Sequence, residues 1–264
     1  MVVLRCARCG TGQAAFAGHD AGDVGRFDRL YTEAMRDDKA GDCWRLLRSA
    51  LGDVAGRRIL DIGCGRGAFL DYAADAGMHT TGLEPAAEAH RLAAARHDVI
   101  ASPIDDPSLS LPAGSFDVVT MWDVLEHLRD PGAALRVAVD ALATGGLLII
   151  ATPAMGTVFD RLAIVTHRVS AGRGRRLLNM CWTPEHLSRF DPQGLRGQAL
   201  ALGCSRADVR SILLLSLQSD RYSSGGLLPA WTRSARLNRL ISVAGVAVAK
   251  RAQLHNKLLL EARK

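Results

Sequence analysis

The spacing of apolar positions changes several times along the chain. Residues 1 to 25 are rich in Gly and Ala and show no clear period. From Phe27 to Leu51 the apolar positions Leu30, Tyr31, Met35, Trp44, Leu46, Leu47 and Leu51 follow helical spacing. The polar run "RDDKAGD" interrupts them and predicts two short helices rather than one. From Arg57 onward, short apolar runs alternate with amphipathic stretches. "RRILDI", "MHTTGLE", "HDVIAS", "FDVVTMW" and "GGLLIIATP" read as strands. "GAFLDYAADAG", "PAAEAHRLAAA" and "PGAALRVAVDALA" read as the helices between them. This alternation predicts an α/β fold with a doubly wound, mostly parallel sheet. After Pro153 the pattern is less regular. "WTPEHLSRF" predicts a helix with Thr183 as N-cap and Pro184 in its first turn. "DPQGLRGQALALG" predicts another helix, and "SILLLSL" and "NKLLLEARK" predict two strands.

The first strand–helix turn, "LDIGCGRGAFL", carries Gly63, Gly65 and Gly67. Glycines there remove the Cβ atoms that would block a ligand, and permit positive φ. The dinucleotide fingerprint is G-x-G-x-x-G. Here the spacing is G-x-G-x-G, and Asp61 stands two residues before the first glycine. An acid at that place opposes a pyrophosphate and suits a ligand with a cationic end. Glu84 ends the second strand, where a carboxylate can accept both hydroxyls of a ribose. Asp105 lies in the loop after the third strand, within reach of an adenine amino group. The strand "FDVVTMW" ends in the bulky Trp122.

Taken in order, these pieces resemble the class I S-adenosylmethionine-dependent methyltransferases, in the branch that acts on small molecules. The resemblance runs from Arg57 to Pro153, through "ILDIGCGRGAFL", "GLEP", "FDVVTMWDVLEHLRDP" and "LATGGLLIIATP", and continues more weakly to Lys264. It implies a seven-stranded sheet with an antiparallel last strand, N-terminal helices and a helical insertion before that strand. It also implies site roles. Asp61, Gly63 and Gly65 line the methionine side of the cofactor, with Cys64 as a small residue of the same turn. Glu84 holds the ribose, Asp105 the adenine, and Trp122 the face near the sulfonium. The expected division is an N-terminal segment with lid helices (1–56), a cofactor-binding core (57–153), and substrate-side helices with the last two strands (154–264).

A methyl acceptor at oxygen or nitrogen can need a base, and His127 in "LEHL" and His186 in "TPEHL" are the candidates. The alternative for both is a bracing role, and a carbon nucleophile needs no base. Asp123 and Glu126 share the turn with His127, but the sequence offers no convincing third ligand, so no metal is expected. "RCARCG" holds Cys6 and Cys9 as half of a zinc site, and four ligands are the norm. The remaining cysteines are expected to be thiols.

Charge adds an asymmetry. Up to Asp160 there are 15 Lys and Arg against 22 Asp and Glu; from Arg161 there are 18 against 5. A basic C-terminal half suits an anionic substrate or a membrane surface. Within 227–253, Arg233, Arg236 and Arg239 precede the apolar run "LISVAGVAVA", which suits peripheral membrane contact or a lid. Nucleic acid is disfavoured, since no recognition motif is present. The N-terminus does not read as a secretory signal, and a cytoplasmic protein is expected, with membrane association as an option. The leading reading is methyl transfer from S-adenosylmethionine to a small or lipid-linked acceptor, at oxygen. The alternatives are a non-catalytic relative that binds the cofactor, and an RNA methyltransferase.

Overall fold

A computed structural model describes residues 2–7, 9–15, 33–169, 186–212 and 256–264. Seven strands form the central sheet. In chain order they are β3 (Arg58–Ile62), β4 (His79–Leu83), β5 (Asp98–Ile100), β6 (Phe116–Trp122), β7 (Leu142–Pro153), β9 (Arg206–Ile212) and β10 (Lys257–Arg263). Their spatial order is β5-β4-β3-β6-β7-β10-β9. β3 to β7 are mutually parallel, and β10 runs antiparallel to both β7 and β9. The chain winds outward from β3 in one direction and restarts at β6 in the other. Between them lies a topological switch point, where ligands of open α/β sheets bind beyond the carboxyl ends of the strands.

The apolar runs form strands because both faces of the sheet are covered. Successive β7 side chains alternate in direction. Leu148 and Ile150 join Leu60, Ile62 and Met121 under helices α4 (Pro131–Ala141) and α6 (Pro192–Ala201), which contribute Leu135, Ala138 and Leu195. Leu147, Ile149 and Ala151 face the other way, with Ile59, Val118 and Leu259. That face is covered by α1 (Glu33–Leu51) and α2 (Ala68–Asp75), through Cys43, Leu47, Phe69 and Ala73. α3 (Ala87–Ala94) packs beside β5. Asp130 and Asp191 cap α4 and α6, accepting from backbone N–H groups of the first turn, and each is followed by a proline.

Two sequence expectations are corrected. The stretch "RDDKAGD" does not split a helix in two: α1 is continuous from Glu33 to Leu51. Ala40, Cys43 and Leu47 form one buried stripe at spacings of three and four residues. A helix that needs only one apolar face accepts polar residues on the other. The second concerns "WTPEHLSRF". Thr183 and Pro184 lie outside the described residues, but His186 and Leu187 are irregular, and Ser188–Arg189 form the strand β8. Tertiary bonds override the local helix signal here. The Arg189 guanidinium is buried and donates to Asp160 Oδ1 at 2.6 Å and to the Ala154 carbonyl at 3.2 Å.

β8 completes a small second sheet that the sequence did not announce. β1 (Val2–Arg5) and β2 (Gly12–Ala15) form an antiparallel hairpin, and β8 pairs with β2. The hairpin loop carries Cys6 and Cys9 and sits on the start of α6. A Cβ at Gly194 would overlap the Cys9 carbonyl oxygen, so only glycine admits this approach. α5 (Val158–Val169) follows β7. The expected insertion before β10, the run 227–253 and most of the basic loop after Val169 lie outside the described residues. No helix among the described residues is long and apolar enough to cross a membrane.

Candidate active site

The glycine turn stands at the carboxyl end of β3, at the switch point. Gly63, Gly65 and Gly67 all have positive φ, at 72°, 56° and 87°. Their reasons differ. A Cβ on Gly63 would meet Val124 Cγ2 at 2.5 Å, so this glycine lets the turn after β6 pack against the loop. A Cβ on Gly67 would crowd His97 and Ala93, so this glycine serves helix packing. A Cβ on Gly65 would meet nothing within 4 Å, so the space over this residue is open.

Two acids border that space. Asp61 is buried in β3, and its Oδ1 accepts a 2.6 Å hydrogen bond from Thr120 Oγ1 of β6. Burial pushes its pKa up to about 7, against the opposing pull of the Thr120 bond and the Lys39 ammonium. Glu84 is also buried. Its Oε2 accepts from the Gly65 N–H at 2.9 Å and its Oε1 from the Ala86 N–H at 2.8 Å. These bonds lock the end of β4 onto the glycine turn. Cys64 lies in the turn as a packing residue: it is buried, its sulfur fills the space a side chain at Gly82 would take, and burial raises its pKa. Such a thiol is a poor nucleophile.

The turn after β6 carries the second group. Asp123 has φ 60°, a left-handed conformation that Asp tolerates better than most residues. Its Oδ2 is held by Lys257 of β10 and by Lys39 of α1, the latter at 3.0 Å. Burial alone would raise its pKa, but the Lys257 and Lys39 ammonium groups outweigh that and hold the carboxyl well below the usual range. The 3₁₀ turn Leu125–His127 follows. Glu126 within it is fully buried, and its Oε2 accepts from Thr152 Oγ1 at 3.0 Å. Burial, reinforced by the Asp123 charge, raises the Glu126 pKa. His186, just before β8, brings its ring to 4.9 Å from the His127 ring, tilted by 60°. Burial, helped by His127, lowers the His186 pKa to about 3 and keeps the imidazole neutral near pH 7.

The structure therefore brings together Asp61, Gly63, Cys64, Gly65 and Glu84 as one cradle, and His127 and His186 as one pair. Trp122 ends β6 with its ring edge-on to Phe69 at 5.3 Å, and its buried indole N–H has no hydrogen-bond partner. Asp105 is exposed in the loop after β5. The sequence reading missed Thr120, Lys39 and Lys257. A lone hydroxyl inside the apolar run "FDVVTMW" was a signal for Thr120. No local pattern could connect Lys39 and Lys257 to Asp123.

Residues 33–206 match the methyltransferase-domain family. A ubiquinone biosynthesis O-methyltransferase of Bordetella bronchiseptica is 30% identical over 113 residues, covering 40% of this chain and 46% of its own length. A ubiquinone biosynthesis O-methyltransferase of Methylobacterium sp. is 31% identical over 204 residues, covering 66% of this chain and 81% of its own length. The chain spans about half the length of several of these curated relatives. Among solved structures, phosphoethanolamine N-methyltransferase 2 of Haemonchus contortus, in complex with S-adenosyl-L-methionine, superposes with a TM-score of 0.56 at 19% identity. The match covers 83% of this chain and 51% of that one, and shows a shared fold.

Proposed function

We propose, from the premise that the chain belongs to the methyltransferase-domain family, that it transfers the methyl group of S-adenosylmethionine to an oxygen of a small or lipid-linked acceptor. The observation that carries this reading is the open space over Gly65, bordered by the buried acids Asp61 and Glu84. The cradle fits the cofactor: a carboxyl in a dry site suits its cationic amino-acid end, and Glu84, fixed by the Gly65 and Ala86 N–H groups, is a carboxylate acceptor of the kind ribose hydroxyls need. When bound, the cofactor supplies a methyl group already activated on a positively charged sulfur.

The protein's part is chiefly positioning. Asp61, as its anion, offsets the charge of the bound amine. Glu84 fixes the nucleoside, and the Gly63–Val124 contact sets the spacing between the cofactor turn and the acceptor-side turn. Transfer joins the acceptor oxygen to the methyl carbon, leaves the carbon–sulfur electron pair on sulfur, and passes the acceptor's hydroxyl proton to solvent water. His186, with a pKa near 3, is too weak a base to take that proton at neutral pH. The relatives' name, ubiquinone biosynthesis O-methyltransferase, favours a phenolic acceptor. The basic and apolar run 227–253 is where a lipid-linked acceptor would be met at a membrane surface, in the cytoplasm; co-sedimentation with anionic vesicles tests that contact.

Methyl-labelled S-adenosylmethionine incubated with a panel of phenols and dihydroxybenzenes should yield labelled ether together with S-adenosylhomocysteine. Calorimetry should show binding of S-adenosylmethionine and none of NADH; the opposite result ends the proposal. Glu84→Ala should weaken cofactor binding by about 1.5–3 kcal/mol, the worth of hydrogen bonds to a charged group. Unchanged affinity in that variant removes Glu84 from the site.

A further inference from the structure

Among the described residues, Glu126, His127 and His186 each present one donor atom, and the three atoms lie within 4.8 Å of one another. Two of the donors are conspicuous for what they lack. Glu126 Oε1 is buried in a fully enclosed side chain and has no hydrogen-bond partner, although it lies 4.0 Å from His127 Nε2. His186 Nδ1 is likewise buried without a hydrogen-bond partner. Native proteins rarely leave such atoms unsatisfied, and each instance asks for a missing group. Among the described residues neither atom has a hydrogen-bond partner, and a single cation would satisfy both.

We propose that Glu126, His127 and His186 form a binding site for one divalent first-row transition cation on the acceptor side of the cofactor turn. Ligand atoms about 2.1 Å from one ion stand roughly 3–4 Å apart, so the observed cluster needs only a slight contraction to close on it. Two imidazoles and a carboxylate suit manganese, iron, cobalt or zinc better than magnesium or calcium, which favour oxygen throughout. The supporting shell is in place, since Thr152 Oγ1 orients the Glu126 carboxylate at 3.0 Å. The location is apt: Val124, which packs on Gly63, lies two residues before Glu126. Three protein ligands leave positions open on the ion.

Resting on the reading of transfer to oxygen, those positions take the acceptor. Held by Glu126, His127 and His186, such an ion would supply Lewis acidity: a ligated hydroxyl would become far more acidic and would give its proton to solvent water, and its oxygen would bond to the methyl carbon as the carbon–sulfur electron pair stays on sulfur. Both histidines serve as ligands in this arrangement, so neither is required as the base. The acceptor class is then a hydroxyl compound with an oxygen free to ligate, such as a dihydroxybenzene.

Mn2+ is the probe, with binding read from the loss of the free-ion paramagnetic resonance signal and from calorimetry. The intact chain should take up one Mn2+, and the ion should raise its melting temperature. Glu126→Gln and His186→Asn should each weaken uptake at least about tenfold and abolish the thermal shift. Binding of S-adenosylmethionine to the same preparations shows that each variant remains folded. The Cys6→Ser/Cys9→Ser double variant should bind Mn2+ as the parent does. The proposal is overturned if the cofactor-binding chain takes up no Mn2+, if both Glu126→Gln and His186→Asn keep full affinity, or if uptake is lost only with the cysteines. Retained Mn2+ uptake without labelled transfer to any dihydroxybenzene would sink the reading of dihydroxybenzenes as the acceptor class and leave the cation site standing.

Discussion

Asp61 combines two demands that conflict. Inside the sheet its carboxyl is held at about 7, well above its ordinary value of 3.8, because burial penalises the anion. Facing a cationic ligand, it is needed as the anion. The sign of the stability effect follows from linkage. Stability associated with the protonated group is fully present below the unfolded value near 3.8 and is lost as pH rises through about 7. Asp61→Asn keeps the neutral form at every pH. The variant should therefore melt at a higher temperature than the parent at pH 8 and at a similar one at pH 4, while its affinity for S-adenosylmethionine falls. A melting series across that range checks it, and a parallel pH dependence in both proteins would remove Asp61 as the titrating group. His186 acts with the opposite slope: its value is depressed from 6.5 to about 3, so its contribution is lost as pH falls below 6.5.

The glycines separate in the same way. Gly63→Ala places a methyl group against Val124 and strains a positive φ, and should lower both stability and cofactor affinity. Gly65→Ala meets no protein atom, so its stability cost is limited to the backbone term of about 1–2 kcal/mol, while its methyl group fills space the cofactor needs. Denaturant melts and calorimetry on the two variants distinguish packing from ligand space. At this scale Asp61, Glu84 and the glycines were legible because one short turn holds them together. His127 and His186 lie 59 positions apart in the sequence, and only the fold brings their rings to 4.9 Å.

Elements were legible where burial leaves a local signature. β6 spans Phe116–Trp122, the full extent of "FDVVTMW", because a strand covered on both faces reads as an apolar run, here interrupted only by Asp117 near its start and by Thr120. β1 and β2 were illegible because they are four residues each and β2 gains its second partner, β8, from Ser188–Arg189, far along the chain. α1 reads as two helices in the sequence because a polar run looks like a break until the buried stripe of Ala40, Cys43 and Leu47 is known. That helix also supplies Lys39, and β10 supplies Lys257, so two elements distant in sequence are pinned to one carboxylate. Lys257→Met leaves Asp123 with Lys39 alone. Removing one partner of a buried ion pair costs up to about 3–5 kcal/mol, and the remaining lysine should hold the loss to the lower end. The loss should be largest above pH 4, where the depressed Asp123 carboxyl is ionised in both states, and should fade as pH falls below it. Chemical denaturation at pH 7 and pH 3 measures both parts.

For the whole molecule, the parallel core from β3 to β7 was readable as a succession of local strand–helix units, and the antiparallel close was expected from the family resemblance. The small sheet was not, since its pairing joins Gln13 to Ser188 and Gly12 to Arg189. It couples the N-terminal hairpin to the segment that carries His186. Removing residues 1–15 should disturb the acceptor side while S-adenosylmethionine still binds, as paired calorimetry and labelled-transfer assays would show.

The place of β10 has a consequence for the order in which the protein can be made. Its seven residues come after every other described strand, yet they lie between β7 and β9, pairing with Leu147–Pro153 on one side and Arg206–Ile212 on the other. A chain leaving the ribosome can assemble β3 to β7 early, because those contacts are local, but among the described strands β9 gains its neighbour only when β10 arrives. Until then β7 presents an unpaired edge, and Asp123 lacks Lys257. The cofactor cradle is thus assembled before the acceptor side, and nascent chains should be able to hold S-adenosylmethionine before they can turn it over.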